Sequence, residues 1–169
     1  MNQTATLDTP ETTAATLDWS DALSVGDARM DDTHEEFVCL LNQLLATPPD
    51  QQLSLYRAFI DHTVAHFAQE ERWMLATGFS ADNCHAGNHA TILETMNVVA
   101  AHSEKGDAQI INRMAQALAE WFPQHAASMD AGLAQHLKNV GFDSKTETLA
   151  DPSTVCPASM SACGSVSCS

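Results

Sequence analysis

A chain of 169 residues with 44 % hydrophobic residues is long enough for one domain with its own core and short for two. Twenty-two acidic residues against seven basic ones give a net charge of −15, a field that repels phosphate backbones and anionic lipid and so disfavours nucleic-acid and membrane-surface roles. No segment approaches the roughly 20 consecutive apolar residues that span a bilayer. The eight histidines, against seven Lys plus Arg, point elsewhere, because imidazole is the commonest metal-ligand side chain.

Along the chain, residues 1–18 are rich in Thr and Ala and read as a flexible, disordered arm. The arm lacks a basic start and an apolar run, so it does not read as a secretory signal, and a cytoplasmic protein with reduced thiols is expected. Residues 19–142 carry nearly all the large apolar side chains. From Asp143 to Ser169 the chain turns to Ser, Thr, Ala and Cys, a tail with too little apolar surface for a core and expected to be flexible.

Four helices are predicted in the middle region. Asp31, Asp32 and Thr33 offer N-caps for the first, whose apolar stripe is Phe37, Val38, Leu41, Leu44 and Leu45. Thr47-Pro48-Pro49-Asp50 ends it. The second runs from about Gln51 to Ala76 with Leu55, Phe59, Ile60, Phe67 and Met74 at three- and four-residue steps, and Thr77-Gly78 closes it. A third begins near Asp82 or Asn83 and carries Ile92, Leu93, Met96 and Val99. The fourth starts near Asp107 with Ile110, Met114, Leu118 and Trp121, passes Pro123, where a backbone donor is missing and a kink is expected, and resumes through Ala131, Leu133 and Leu137 to Gly141. No strand alternation competes. The fold class is all-α, an up-down-up-down four-helix bundle.

Each helix also carries side chains of the metal-ligand type. His66 and Glu70 on the second, and His85 and His89 on the third, are four apart, a spacing that stacks two side chains on one helix face. His125 and Asp130 lie on the fourth and His34 on the first. Any one of these reads equally as a cap, a surface pair or chance. Together they put five imidazoles and two carboxylates beside the apolar stripes, where burial without a cation would cost several kcal/mol of desolvation, in round terms about 2–7 for each unpaired group. The absence of cysteine from the set argues against structural zinc, and seven ligands exceed what one ion takes from protein. Iron, zinc, manganese or copper remain open on donor chemistry. No Glu-x-x-His occurs, which sets aside the ferritin-like arrangement, and no His-Glu-x-x-His, which excludes a zinc protease.

One position fits poorly. Asp130 is five residues after His125, about 140° around an ideal helix. Either the carboxylate reaches the cluster from the flank or a π-type turn widens the helix there.

The order His34, His66-x3-Glu70, His85-x3-His89, His125-x4-Asp130 resembles the ligand set of the hemerythrins, in particular the bacterial ones. Trp19-Ser20-Asp21, Val25-Gly26 ahead of Asp31-Asp32-Thr33-His34, His66-Phe67-x-x-Glu70-Glu71 with Met74, and Trp121-x3-His125 carry the same resemblance, over about residues 17–140. It implies a non-haem di-iron centre. His85, His89 and His125 would hold one iron and His34 and His66 the other. Glu70, Asp130 and an oxo or hydroxo group from solvent would bridge them. It further implies reversible dioxygen binding at the two-histidine iron, for oxygen storage or delivery and without catalysis. A di-iron oxygen or redox sensor, and a factor handling peroxide or nitric oxide or repairing iron sites, are the competing readings. No acid–base residue other than His62 is placed near the open iron, which disfavours turnover of peroxide.

The remaining residues are assigned blander roles. His62, one turn before His66, is a candidate to support a ligand or line the pocket, against partial exposure with no role. His102 and His136 are expected to be solvated and Glu71 to lie on the surface. Trp73, Trp121, Phe37, Phe59 and Phe67 are expected in the core, as is Cys39, with Cys84 partly exposed. Cys156, Cys163 and Cys168 match no zinc or iron–sulfur spacing, so reduced thiols are expected, with a redox or metal-loading role as the alternative.

Overall fold

The computed structural model describes residues 16–79 and 84–154. Four long helical segments dominate: α1 (Ala28–Ala46), α2 (Gln52–Ala76), α3 (Cys84–Glu104) and α4 (Ile110–His125). A π turn (Ala126–Asp130) continues α4 into α5 (Ala131–Asn139). α1 packs on α2 and α4, and α3 packs on the same two, which is the square of an up-down-up-down bundle.

α1 begins a turn earlier than its sequence suggests. Asp27 is the N-cap, its carboxylate accepting from the backbone N–H of Arg29 and Met30. Asp31, expected to cap, lies inside the first turn and reaches back to the preceding loop, accepting from Val25 N–H at 2.8 Å and the Ser24 hydroxyl at 2.7 Å. The extra turn buries Met30, which extends the stripe through His34, Phe37 and Leu41. A 3-10 turn (Pro49–Gln51) leads into α2, which closes at Thr77 with Gly78 at φ 68°, a left-handed conformation that a Cβ disfavours. α4 starts at Ile110 rather than Asp107, whose carboxylate instead accepts from Gln109 N–H ahead of the helix. The helix runs through Pro123 to His125, and the irregularity falls on the π turn that follows.

Both ends of the folded unit differ from expectation. Residues 1–18 read as an arm, yet Leu17 is tied to α1: Asn42 accepts from its N–H at 3.0 Å and donates to its carbonyl at 2.8 Å. The sequence reads as a flexible tail from Asp143, yet β1 (Phe142–Asp143) pairs antiparallel with β2 (Thr148–Leu149), and a 3-10 turn (Pro152–Thr154) follows. This hairpin buries Phe142 in the core and is also held by polar contacts, which hydropathy does not register. Ser144 donates to the Asp27 carboxylate at 2.7 Å, and Glu147 accepts from Arg72 at 2.8 Å and from the Trp73 indole at 3.3 Å. Residues 1–15, 80–83 and 155–169, and with them Cys156, Cys163 and Cys168, lie outside the described residues.

The core has two parts. One, around Phe37, Leu41, Phe59, Met96 and Leu118, fills most of the bundle. The other, with Met30, Trp73, Leu133, Leu137 and Phe142, closes the end where the hairpin sits. On α1 and α2 the ligand-type residues fall in sequence between these two layers, as does Asp130 on the α4–α5 segment.

Candidate metal centre

Burial of polar side chains is the first signal. His34, Glu70, His89 and Asp130 are fully buried, and His66, His85 and His125 nearly so. All seven sequence-predicted residues meet in one cluster. Glu70, His85, His89, His125 and Asp130 form one group whose donor atoms lie within 4.8 Å of one another, and His34, His66 and Glu70 form a second.

The carboxylates divide their oxygens between the groups. Glu70 Oε1 lies 2.8 Å from His66 Nε2 and 3.7 Å from His34 Nε2, while its Oε2 lies 3.2 Å from His85 and 3.6 Å from His89. Asp130 Oδ1 lies 2.9 Å from His85 and 3.0 Å from His125, while its Oδ2 lies 3.2 Å from His34. The π turn makes this possible. Ala131 N–H bonds to Ala126 C=O, five residues back, and that wider turn brings Asp130 round to the face of His125.

Many of these close approaches lack hydrogen-bond alignment. His34 Nε2, His85 Nε2, Glu70 Oε2 and both Asp130 oxygens are buried without a hydrogen-bond partner among the described residues. Buried donors and acceptors are ordinarily paired. Atoms that converge without pairing fit a cation, and this donor set of imidazole and carboxylate fits iron, zinc, manganese or copper.

Without a cation the cluster is a dense charge network. Burial pulls His34 down, but the Asp130 and Glu70 carboxylates that face it outweigh burial and raise its pKa to about 9. His85 reaches about 9 for the same reasons. Burial holds His89 down at about 3, with the charges of His85 and His125 adding to the effect. Burial pushes Glu70 and Asp130 up, yet the surrounding imidazoles hold both below the usual carboxylate range.

Packing fixes the rings. All five Nδ1 atoms lack a partner among the described residues. Phe67 stacks on His89 with centroids 3.7 Å apart and planes within 2°, and Trp121 stacks on His125 at 4.4 Å and 27°. At the other group, Phe122 meets His34 edge-on at 5.2 Å and Phe37 meets His66 at 6.2 Å.

His62 is not in either group. It is half-buried, its Nε2 lies 3.2 Å from Glu36 Oε2, and its ring is 6.3 Å from that of His66. Glu71 and His102 are exposed, as expected. His136 is not solvated: its Nε2 lies 3.1 Å from Thr77 C=O and its ring packs on Phe79, because α5 folds back beside the end of α2. Cys39 is exposed rather than core, since Phe37, Val38 and Leu41 take the inward face; its sulfur accepts from Gln43. Cys84 is also exposed. Trp121 is only partly buried, while Phe37, Phe59, Phe67 and Trp73 are in the core. Thr33 and Gln69 were missed. Each is a buried polar residue directly preceding a cluster residue, and a polar side chain off the apolar stripe reads as surface in sequence.

A buried seven-residue donor cluster at the heart of a four-helix bundle defines a cation-binding helical domain. The profile described as hemerythrin HHE cation binding domain matches residues 25–137, and the chain belongs to that family. It is 36% identical over 134 residues to a bacteriohemerythrin of Ralstonia nicotianae, covering 79% of this chain and 98% of that one. Identity to a bacteriohemerythrin of Aquifex aeolicus is 29% over 119 residues, covering 67% and 91%. To one of Pseudomonas aeruginosa it is 23% over 129 residues, covering 74% and 84%. No solved structure matches the chain significantly. No described helix is long and apolar enough to cross a membrane.

Proposed function

We propose that the cluster holds two iron ions and that the protein binds dioxygen reversibly at one of them, without turning it over. The reading is carried by one observation: Glu70 and Asp130 each offer one oxygen to either side of an unequal set of imidazoles, three against two. His85, His89 and His125 would hold one ion and His34 and His66 the other, with Glu70 and Asp130 bridging. The two-histidine position has fewer protein donors and so leaves room for an exogenous ligand. A ferrous pair supplies two electrons that a dioxygen molecule can share reversibly.

The chain's own residues do the rest. Phe37 and Phe122, stacked with centroids 4.6 Å apart, wall the His34–His66 side and exclude water. His62 is turned to Glu36 rather than placed among the donor atoms, so it is not set as a general acid beside the open position. An apolar wall with His62 turned away favours release of dioxygen intact.

The test is the visible absorption spectrum of the iron-loaded, dithionite-reduced protein as air is admitted in small steps. A band that appears with oxygen and disappears on its removal, at two irons per chain, is expected. Irreversible oxidation at the first addition would overturn reversible binding, and fewer than two irons would overturn the site.

A further inference from the structure

We propose that Thr33, Gln69 and Arg29 are positioning residues that set α1 against α2 and so tune the His34–His66 position alone; this rests on the iron-pair reading above. The three form a chain of bonds between the two helices. Arg29 Nε–H donates to Gln69 Oε1 at 3.1 Å, Gln69 Nε2–H donates to Thr33 Oγ1 at 3.2 Å, and the Thr33 hydroxyl donates to the Arg29 carbonyl at 3.0 Å. Thr33 and Gln69 are 4 % and 7 % exposed, so these bonds compete little with water.

Their place in the chain gives them leverage. Thr33 precedes His34 and Gln69 precedes Glu70, so the Thr33–Gln69 bond joins α1 to α2 one residue away from where His34 Nε2 faces Glu70 Oε1. The core residues flanking this bond, Met30 and Trp73 on one side and Phe37 on the other, are apolar, and the neighbouring polar link between the helices, His62 with Glu36, lies toward the surface. Apolar contact is non-directional and tolerates sliding. A buried hydrogen bond is directional and fixes the register. The Arg29 charge polarises Gln69 from the far side, which strengthens the amide as a donor to Thr33.

The effect is selective because α1 gives the cluster only His34. Every member of the other group comes from α2, α3 or the α4–α5 segment. A small slide of α1 therefore changes one metal position and leaves the three-histidine position intact.

Anaerobic release of iron from the diferrous protein to a ferrous chelator tests this, with His34→Ala identifying the phase that belongs to the His34–His66 position. Thr33→Val is expected to speed that phase about tenfold, the usual cost of losing a supporting hydrogen bond, with the other phase unchanged. Gln69→Met, which breaks the same bond from the other helix, should do likewise, and Thr33→Ser should release iron as the parent does. Equal acceleration of both phases, no acceleration in either, or a Thr33→Ser variant as fast as Thr33→Val would overturn the proposal. A parent protein with fewer than two irons would instead overturn the iron-pair reading on which it rests.

Discussion

Asp130 Oδ1 lies 3.0 Å from His125 Nε2 although the two residues are five apart in one helical segment, a separation that a regular α-helix would turn about 140° away. The π turn Ala126–Asp130 removes the conflict and lets one carboxylate face both imidazole groups. Asp130→Asn keeps the shape and removes the charge and one strong donor. It should reduce bound iron from two per chain to one or none, with the helical content of the metal-free protein unchanged. Iron analysis with circular dichroism checks this, and two tightly held irons in the variant would show that Asp130 is dispensable as a bridge.

Phe67 lies against the flat of His89, whose Nδ1 has no hydrogen-bond partner among the described residues. Where metal-binding histidines ordinarily take their orientation from a bond at the second nitrogen, stacking serves here. Phe67→Ala, at a site 1 % exposed, should cost about 3–5 kcal/mol in the metal-free protein, and it should weaken iron binding at the three-histidine position beyond the change seen with Phe67→Leu. Denaturant unfolding and chelator competition read the two effects separately. Equal iron affinity in the two variants would mean that bulk alone, not a flat ring, holds His89.

The helices and the residues of the buried cluster were legible because both rest on short-range periodicity. His66 with Glu70 and His85 with His89 announce themselves by a four-residue step that any helix turns into one face. The π turn was readable only as a misfit at Asp130, since no local propensity marks it. What escaped were contacts between segments far apart in the chain: Asp27 capping α1 while receiving Ser144, Glu147 reaching Arg72 and Trp73, and Thr33 meeting Gln69. Polar residues that pair across the fold carry no hydropathy signal, so the hairpin reads in sequence as a flexible tail and nothing marks the Thr33–Gln69 bond.

The charge network gives metal loading a definite pH dependence. His34 and His85 sit at about 9 in the folded, cation-free protein against an ordinary 6.5. A raised pKa means stability that is fully present below about 6.5 and lost as pH rises through about 9. A cation must displace both protons, so its binding tightens over the same interval. The difference in melting temperature between iron-loaded and iron-free protein should therefore widen from pH 6.5 to 9, and calorimetry at pH 7 in buffers of different ionisation enthalpy should show at least two protons released per loaded pair. A constant difference in melting temperature would mean that these imidazoles are already neutral before the metal arrives.

Glu147 holds the C-terminal hairpin to the turn of α2 just beyond Glu70. Arg72, first, and then the Trp73 indole keep its carboxyl below the ordinary 4.5, and the direction sets the sign. A depressed carboxylate stabilises the docked hairpin above its unfolded pKa, and that contribution is lost as pH falls through the folded one. Glu147 and Arg72 are both about half exposed, so the ion pair itself is worth little, and the indole bond and the burial of Phe142 matter beside it. Glu147→Gln should leave the bundle helices and iron content unaltered while the amides of residues 142–149 exchange hydrogen several-fold faster. The parent protein should loosen locally in the same direction, corrected for intrinsic rates, once the pH falls below about 4.5, and increasingly as it passes through the lower folded value. Unchanged exchange in the variant would assign the docking to Phe142, the Ser144–Asp27 bond and the strand pairing with Leu149.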